Sequence, residues 1–400
     1  MNNEHINMIN KEEQVKSTSM FANQVQSKSP VRESGVELLR IITMFFIVAH
    51  HYVVNSGLTM VGGPIFDNPF CWRSIFLLLF GAWGKTGINC FVLITGYFMC
   101  KSKITLKKFF KLLFEILFYR WIIYAIFLIV GYEQFSIKSF VKALFPITSV
   151  QQNFTGCYLL FFLSIPFLNI LVRNMKEKQH IRLLLLTGFI YVFFGTLKVF
   201  SVSMNYVSWF IVLYFLSSYI RLYPKTLFQK KKLWGWLAIL SVIISSISVI
   251  ACAWLGAKIN RPNMAYFFVS DSNTFLALST GLCAFMFFKN LNLKPKKFIN
   301  CIAASTFGVL LIHANSDAMR DWLWVDLLNN VGMYYSQWII LHAVGSVCAI
   351  FIICTIIDYL RIRFLEKPFF NWFDKKIDKL SNWYQQKERK IFDKLHIKED

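Results

Sequence analysis

Ten apolar runs punctuate the chain, at roughly 36–54, 74–100, 109–131, 154–172, 183–200, 205–221, 233–257, 267–288, 299–316 and 335–358. Each is close to the ~20 residues that a helix needs to cross a bilayer core. Polar connectors separate the runs, and their basic residues alternate. Connector 101–111 holds five Lys/Arg, 173–182 four, 221–232 five and 289–297 four. The intervening connectors are poor in them: 55–73 and 317–334 hold one each, and 132–153 and 258–271 two each. The positive-inside rule puts the basic connectors, and with them both termini, in the cytoplasm. The pattern therefore predicts an all-α, polytopic integral membrane bundle of about ten transmembrane helices in the cell membrane.

The ends read differently. Residues 1–35 are polar and of mixed charge, without the basic-then-apolar layout of a cleaved signal peptide, and are expected to form a disordered cytoplasmic tail. Residues 36–358 are the expected membrane domain. Residues 359–400 carry eleven Lys/Arg interleaved with Trp372, Phe373, Trp383, Tyr384 and Phe392. That composition predicts a basic amphipathic cytoplasmic tail lying on anionic lipid.

Composition agrees with a membrane solvent. The 400 residues are 56% hydrophobic and only 16% charged, against roughly 25% charged in soluble domains. The net charge of +22 resides mostly in the cytoplasmic connectors and the tail. It records topology, and no nucleic-acid partner is expected. Nine scattered cysteines show no CxxC spacing and no grouping with histidine, so neither a disulfide framework nor a metal site is expected.

Ionisable side chains at bilayer depth are costly and mark candidate function. The first run, GVELLRIITMFFIVAHHYV, carries Glu37, Arg40, His50 and His51. Eleven residues of helix turn ~1100°, so Arg40 and His51 share a face about 16 Å apart along the axis. His50 lies about 80° off that stripe at ~100° per residue. Glu37, three residues before Arg40, can hold its guanidinium. Guanidinium binds phosphate in a forked geometry, and neutral imidazole can take a proton from a hydroxyl. The competing structural reading is a snorkelling Arg and a His satisfied by a neighbour.

Lys85, between Gly84 and Gly87 in the second run, lies at about the depth of His51, ~21–22 Å from the inner surface by helical rise. Both are expected to face one cavity; alternatively, Lys85 snorkels around a helix break at Gly84. His313, Asp317 and Arg320, spaced i, i+4 and i+7, are expected to share a helix face at the outer surface. Such a cluster suits hydroxyl-rich or acidic glycans, or is a solvated helix end. Glu115 is expected to pair with Lys111, four residues earlier. His5, His180 and His342 are expected to be structural.

With these residues in view, the sequence resembles the acyltransferase-3 family of integral membrane acyltransferases. The resemblance rests on an acidic residue, Arg three later and His eleven after that: Glu37, Arg40 and His51. It is supported by Phe91 with Thr95-Gly96-Tyr97, by Cys157-Tyr158 with Pro166 and Asn169, by the Ser305–His313 stretch, and by the ending DYLRIRFLEKP. It covers about 36–370 and is nearest to members associated with surface polysaccharides. One departure is that many members carry paired arginines after the second span, where this chain has KSKITLKKFFK. Lys107, Lys108 and Lys111 could bind donor phosphates there as point charges.

The resemblance implies a membrane-bound O-acyltransferase with acyl-CoA, most simply acetyl-CoA, as donor substrate and no permanently bound cofactor. Arg40 and the lysine connector would hold the donor. Lys85, His313, Asp317 and Arg320 would face a hydroxyl of a cell-surface polysaccharide or lipid-linked glycan. Polysaccharide-assembly proteins are expected partners. His51 would act either as general base or as a transient acyl carrier. A polysaccharide exporter or flippase, or a glycan polymerase, is the alternative reading. The clustering of charge in the first two runs favours an enzyme, and the outer connectors lack the large Arg-rich loop of a polymerase.

Overall fold

Long apolar segments in lipid can satisfy their backbone only within themselves, so they coil. The computed structural model describes residues 33–147, 153–197, 204–261 and 264–374 with the pairs 383–384 and 386–387. It is 79% helical, and the described residues contain no strand. His5, the tail before residue 33 and most of the tail after residue 374 lie outside the described residues.

All ten apolar runs contain helix. The principal helices are α1 (Ser34–Val54), α2 (Trp72–Gly81), α3 (Gly84–Met99), α4 (Leu106–Ile129), α5 (Ile137–Leu144, in the connector 132–153), α6 (Phe154–Asn174), α7 (Glu177–Thr187), α8 (Tyr206–Leu222), α9 (Lys231–Lys258), α10 (Phe275–Lys289), α11 (Lys297–Ala304), α12 (Thr306–His313) and α13 (Ile339–Arg361). Seven helical segments are long and apolar enough to cross a membrane, and an eighth counts if α11–α12 and the bent continuation Asp317–Leu327 are one span. The chain is a multi-pass membrane protein.

Two of the ten runs give apolar helices under 18 residues, and one of them, α10, falls short of its expected run 267–288. α8 has 17 residues and α10 has 15. In the run 267–288, the sequence Asp271-Ser272-Asn273-Thr274 supplies side chains that compete for backbone groups. The Thr274 hydroxyl donates to the Asp271 carbonyl, and α10 begins only after it.

α3 is the axis of the bundle. It packs against α1, α8 and α10, and α1 in turn packs against α2, α11 and α13. In lipid, small residues at such crossings let backbones approach. Gly84 lies directly under the His50 ring, where a Cβ would overlap it. The span Trp72–Met99 is 72% buried over its apolar window, whereas Glu177–Leu197 is 6% buried and faces lipid.

The four basic connectors meet at one end. The Arg173 guanidinium donates to the Cys100 carbonyl, and Arg221 donates to the Tyr97 hydroxyl. Asn290 donates to the Phe228 carbonyl, and the Lys296 amide donates to the Ser34 hydroxyl. Motif residue Asn169 joins this end by donating to the carbonyls of Met99 and Ser102.

Towards the same end lies a buried ion cluster. Arg361 reaches Glu115 at 3.1 Å, Asp358 at 2.9 Å and Glu366 at 2.6 Å. Tyr119 donates to Asp358 at 2.8 Å. The expected Glu115–Lys111 pair is therefore corrected. Lys111 pairs with Glu366 at 2.6 Å, because the helix continuing past α13 through Glu366 to Asp374 brings a second acid to α4. Gly308 abuts the Asp358 carboxyl, leaving no room for a Cβ.

Candidate active site

α1 carries His50 and His51 to the end of the bundle opposite the basic connectors. There a cavity of about 560 Å³ opens among α1, α3, α4, α5, α6 and the turn after α12. His50, His51 and Lys85 all line it, as do Asp317 and Arg320. Its floor is apolar, formed by Ile47, Ile88, Ile116 and Leu310. Its volume falls within the ~300–1,000 Å³ of small-molecule sites.

The hydrogen bonds around His51 run one way. His313 Nδ1 lies 2.6 Å from the Val309 carbonyl. A carbonyl only accepts, so His313 Nδ1 carries the proton. Nε2 of a neutral His313 is then an acceptor, and it lies 2.9 Å from His51 Nδ1. His51 Nδ1 therefore donates, which leaves Nε2 as the lone pair of a neutral His51. Such an arrangement holds a ring in one tautomer, and the bond survives proton uptake at Nε2. His313 is fully buried and packs edge-on to Trp324.

His50 is held in the same way, with Nδ1 2.6 Å from the Gly81 carbonyl. It too reaches the cavity, although it lies off the Arg40 stripe. Lys85 donates to the Tyr206 hydroxyl at 2.9 Å, and its ammonium stands 5.6 Å from the centre of that ring. Tyr206, Arg120, Lys142 and Glu133 also line the cavity. No motif in the sequence marked these four.

The expected single face of His313, Asp317 and Arg320 is corrected. The helix breaks after His313 and turns by 98°, with Ser316 capping the short helix Asp317–Arg320. His313 stands behind His51, while Asp317 and Arg320 pair at 2.7 Å in the cavity wall. Arg40 does not line the cavity. It sits about 16 Å away along α1, half-buried, with Glu37 at 3.9 Å. Its Nε and Glu37 Oε2 are buried and have no hydrogen-bond partner among the described residues.

The lysine connector is tied into the fold. Lys107 pairs with Asp374 at 2.6 Å and Lys111 with Glu366 at 2.6 Å. Lys108 donates to the Ser102 hydroxyl and the Lys103 carbonyl. The remaining motif residues build crossings. Thr95 and Tyr158 share a hydrogen bond of 3.1 Å, Asn169 accepts from Tyr214, and Tyr158 stacks on Phe154 in the cavity wall. His180 is fully buried and donates to the Phe215 carbonyl at 2.9 Å. His342 bonds the Tyr52 hydroxyl at 2.8 Å.

A family model for the acyltransferase domain, of the acyltransferase-3 type, matches residues 33–359. The chain belongs to the acyltransferase-3 family. The matched range covers α1 to the last turns of α13, and so both the cavity and the Arg40 end. No curated protein and no solved structure matches the chain. Membership makes it a membrane acyltransferase.

Proposed function

We propose that this acyltransferase moves an acetyl group from acetyl-CoA in the cytoplasm to a hydroxyl of a cell-surface or lipid-linked glycan, across the plasma membrane. The observation that carries the reading is the chain Val309 carbonyl, His313, His51 beside the cavity. It presents an imidazole lone pair to a site large enough for a sugar. His51 Nε2 takes the proton of the acceptor hydroxyl, and the oxygen attacks the thioester carbonyl. The new C–O bond forms, the C–S bond breaks, and the proton passes on to the CoA sulfur. Asn153, Thr155, Asn315 and Ser316 in the wall offer hydroxyl-binding groups.

The donor enters from the basic end, where Arg40 has, among the described residues, only a long contact to Glu37 and a guanidinium can fork a phosphate. Lys107 and Lys111 have half-exposed side chains, at 47% and 54%. Exposed ion pairs are worth ~0–1 kcal/mol, so a multiply charged phosphate can displace Asp374 from Lys107, whereas the buried Glu366 keeps Lys111 in place. The reading places the four basic connectors in the cytoplasm.

The test compares surface glycan from cells carrying the wild type, His51→Ala or Arg40→Ala. Loss of O-acyl signals with unchanged glycan amount supports an acyltransferase acting on that glycan. Disappearance of the whole glycan from the surface points to export or polymerisation instead.

A further inference from the structure

We infer that the cavity binds an anionic acceptor, a sugar chain carrying a carboxylate or phosphate beside the hydroxyl that reacts, and that Lys85 is the residue that selects it. The inference rests on the reading of this cavity as the acceptor site. Four cations line the cavity, Lys85, Arg120, Lys142 and Arg320, against two carboxylates, Glu133 and Asp317. Among the described residues, only Arg320 of these four has a carboxylate partner, Asp317 at 2.7 Å. Among the described residues, Lys85 has the Tyr206 hydroxyl and ring face alone. Arg120 has one long bond, 3.5 Å, to the Pro146 carbonyl.

The other deep cation in the bundle shows what a structural charge looks like. Arg361 has three carboxylates within 4 Å. A charge left without a counter-charge at membrane depth costs several kcal/mol. A sequence that supplies three acids to Arg361 and none to Lys85 leaves the cavity short of negative charge. An anionic ligand supplies it.

The site's shape fits the same chemistry. Ser139 and Lys142 on α5 face the cavity, while Ile137 and Val141 of the same helix are exposed. The polar wall suits sugar hydroxyls, and the cations line the same cavity as His51. Lys85 therefore orients the acceptor by its charged group.

The experiment uses the full chain in nanodiscs of zwitterionic phosphatidylcholine, so that anionic lipid does not compete. Three probes are titrated: trigalacturonate, a glycerol-phosphate trimer and neutral maltotriose. At least one anionic probe is expected to bind at least tenfold more tightly than maltotriose, and less tightly as salt rises. Lys85→Gln is expected to weaken that binding at least tenfold, and Lys85→Arg to retain it. Lys178→Gln, an exposed site at the basic end, serves as control for the overall charge of the protein and is expected to leave it unchanged. Binding by trigalacturonate alone assigns a carboxylate, by the phosphate trimer alone a phosphate, and by both a charge-selected site. Should Lys85→Gln not fold, Arg120→Gln and Lys142→Gln must each weaken the anionic probe. Equal binding of maltotriose, or unchanged anionic binding in these cavity variants, overturns the inference. Anionic selectivity with undiminished O-acylation in His51→Ala would leave the inference and remove the acyltransferase assignment of the cavity. The opposite pair of results would do the reverse.

Discussion

Two charged clusters lie inside one bundle, and they are built on opposite plans. Around Arg361 every charge is in an ion pair: Glu115, Asp358 and Glu366 all reach Arg361, and Glu366 also takes Lys111, in a knot that joins α4, α13 and the helix beyond it against Gly308 of α12. Around His51 the charges stay open. Among the described residues, Lys85 has only a phenol, and His51 has its donor committed to His313 and no partner at its lone pair. A saturated cluster holds helices together, while an unsaturated one is held ready for a ligand. The difference cannot be read from charge content alone. It lies in which partners the fold brings within reach.

The comparison predicts opposite responses to losing a cation. Arg361→Met leaves the buried carboxylates of Glu115 and Asp358 uncompensated, while Glu366 keeps Lys111, and removing one partner of such a cluster costs about 3–5 kcal/mol. Thermal melting in detergent should show a large drop in Tm, or no folded protein. Lys85→Gln should melt at or above the wild-type temperature, because it removes an uncompensated charge. A large drop for Lys85→Gln would erase the distinction between the two regions.

A smaller effect separates positioning from chemistry. His313→Ala removes the acceptor that fixes the His51 ring, and misplacing a reacting group can cost on the order of 10²-fold. The loss should appear in kcat with KM little changed, and His313→Gln should recover part of it because its amide oxygen can accept from His51 Nδ1. An unchanged kcat in His313→Ala would make the pair structural only. Gly308→Ala should cost about 1–3 kcal/mol by overpacking against Asp358, seen as a lower Tm. Lys107→Ala should shift stability by less than about 1 kcal/mol, as exposed pairs do, and tests whether the rim of the knot is as loose as its exposure implies.

Much of the fold was legible in the sequence, because apolar length and connector charge follow directly from the bilayer. Helix ends were less so. α10 starts late because Asp271 to Thr274 turn the backbone, and the run around His313 bends because Ser316 caps a new helix. The candidate site was partly legible. Helical rise put Lys85 and His51 at one depth, and both line the cavity. Two features were out of reach of local spacing. The His51–His313 bond joins residues 262 apart in sequence, and Glu115 takes Arg361 rather than its i−4 neighbour because a distant helix packs there. Tyr206 and Arg120 carried no pattern at all; only the cavity gathers them.

The proposed role of His51 as reacting base stands or falls on the O-acyl content of the surface glycan, measured per molecule of folded protein for wild type and His51→Ala. Loss of a general base typically costs 10²–10⁴-fold, so acylation should drop to about 1% of wild type or less, with the amount of glycan and the Tm little changed. Acylation by His51→Ala at the wild-type level, in protein that is equally folded, would contradict it.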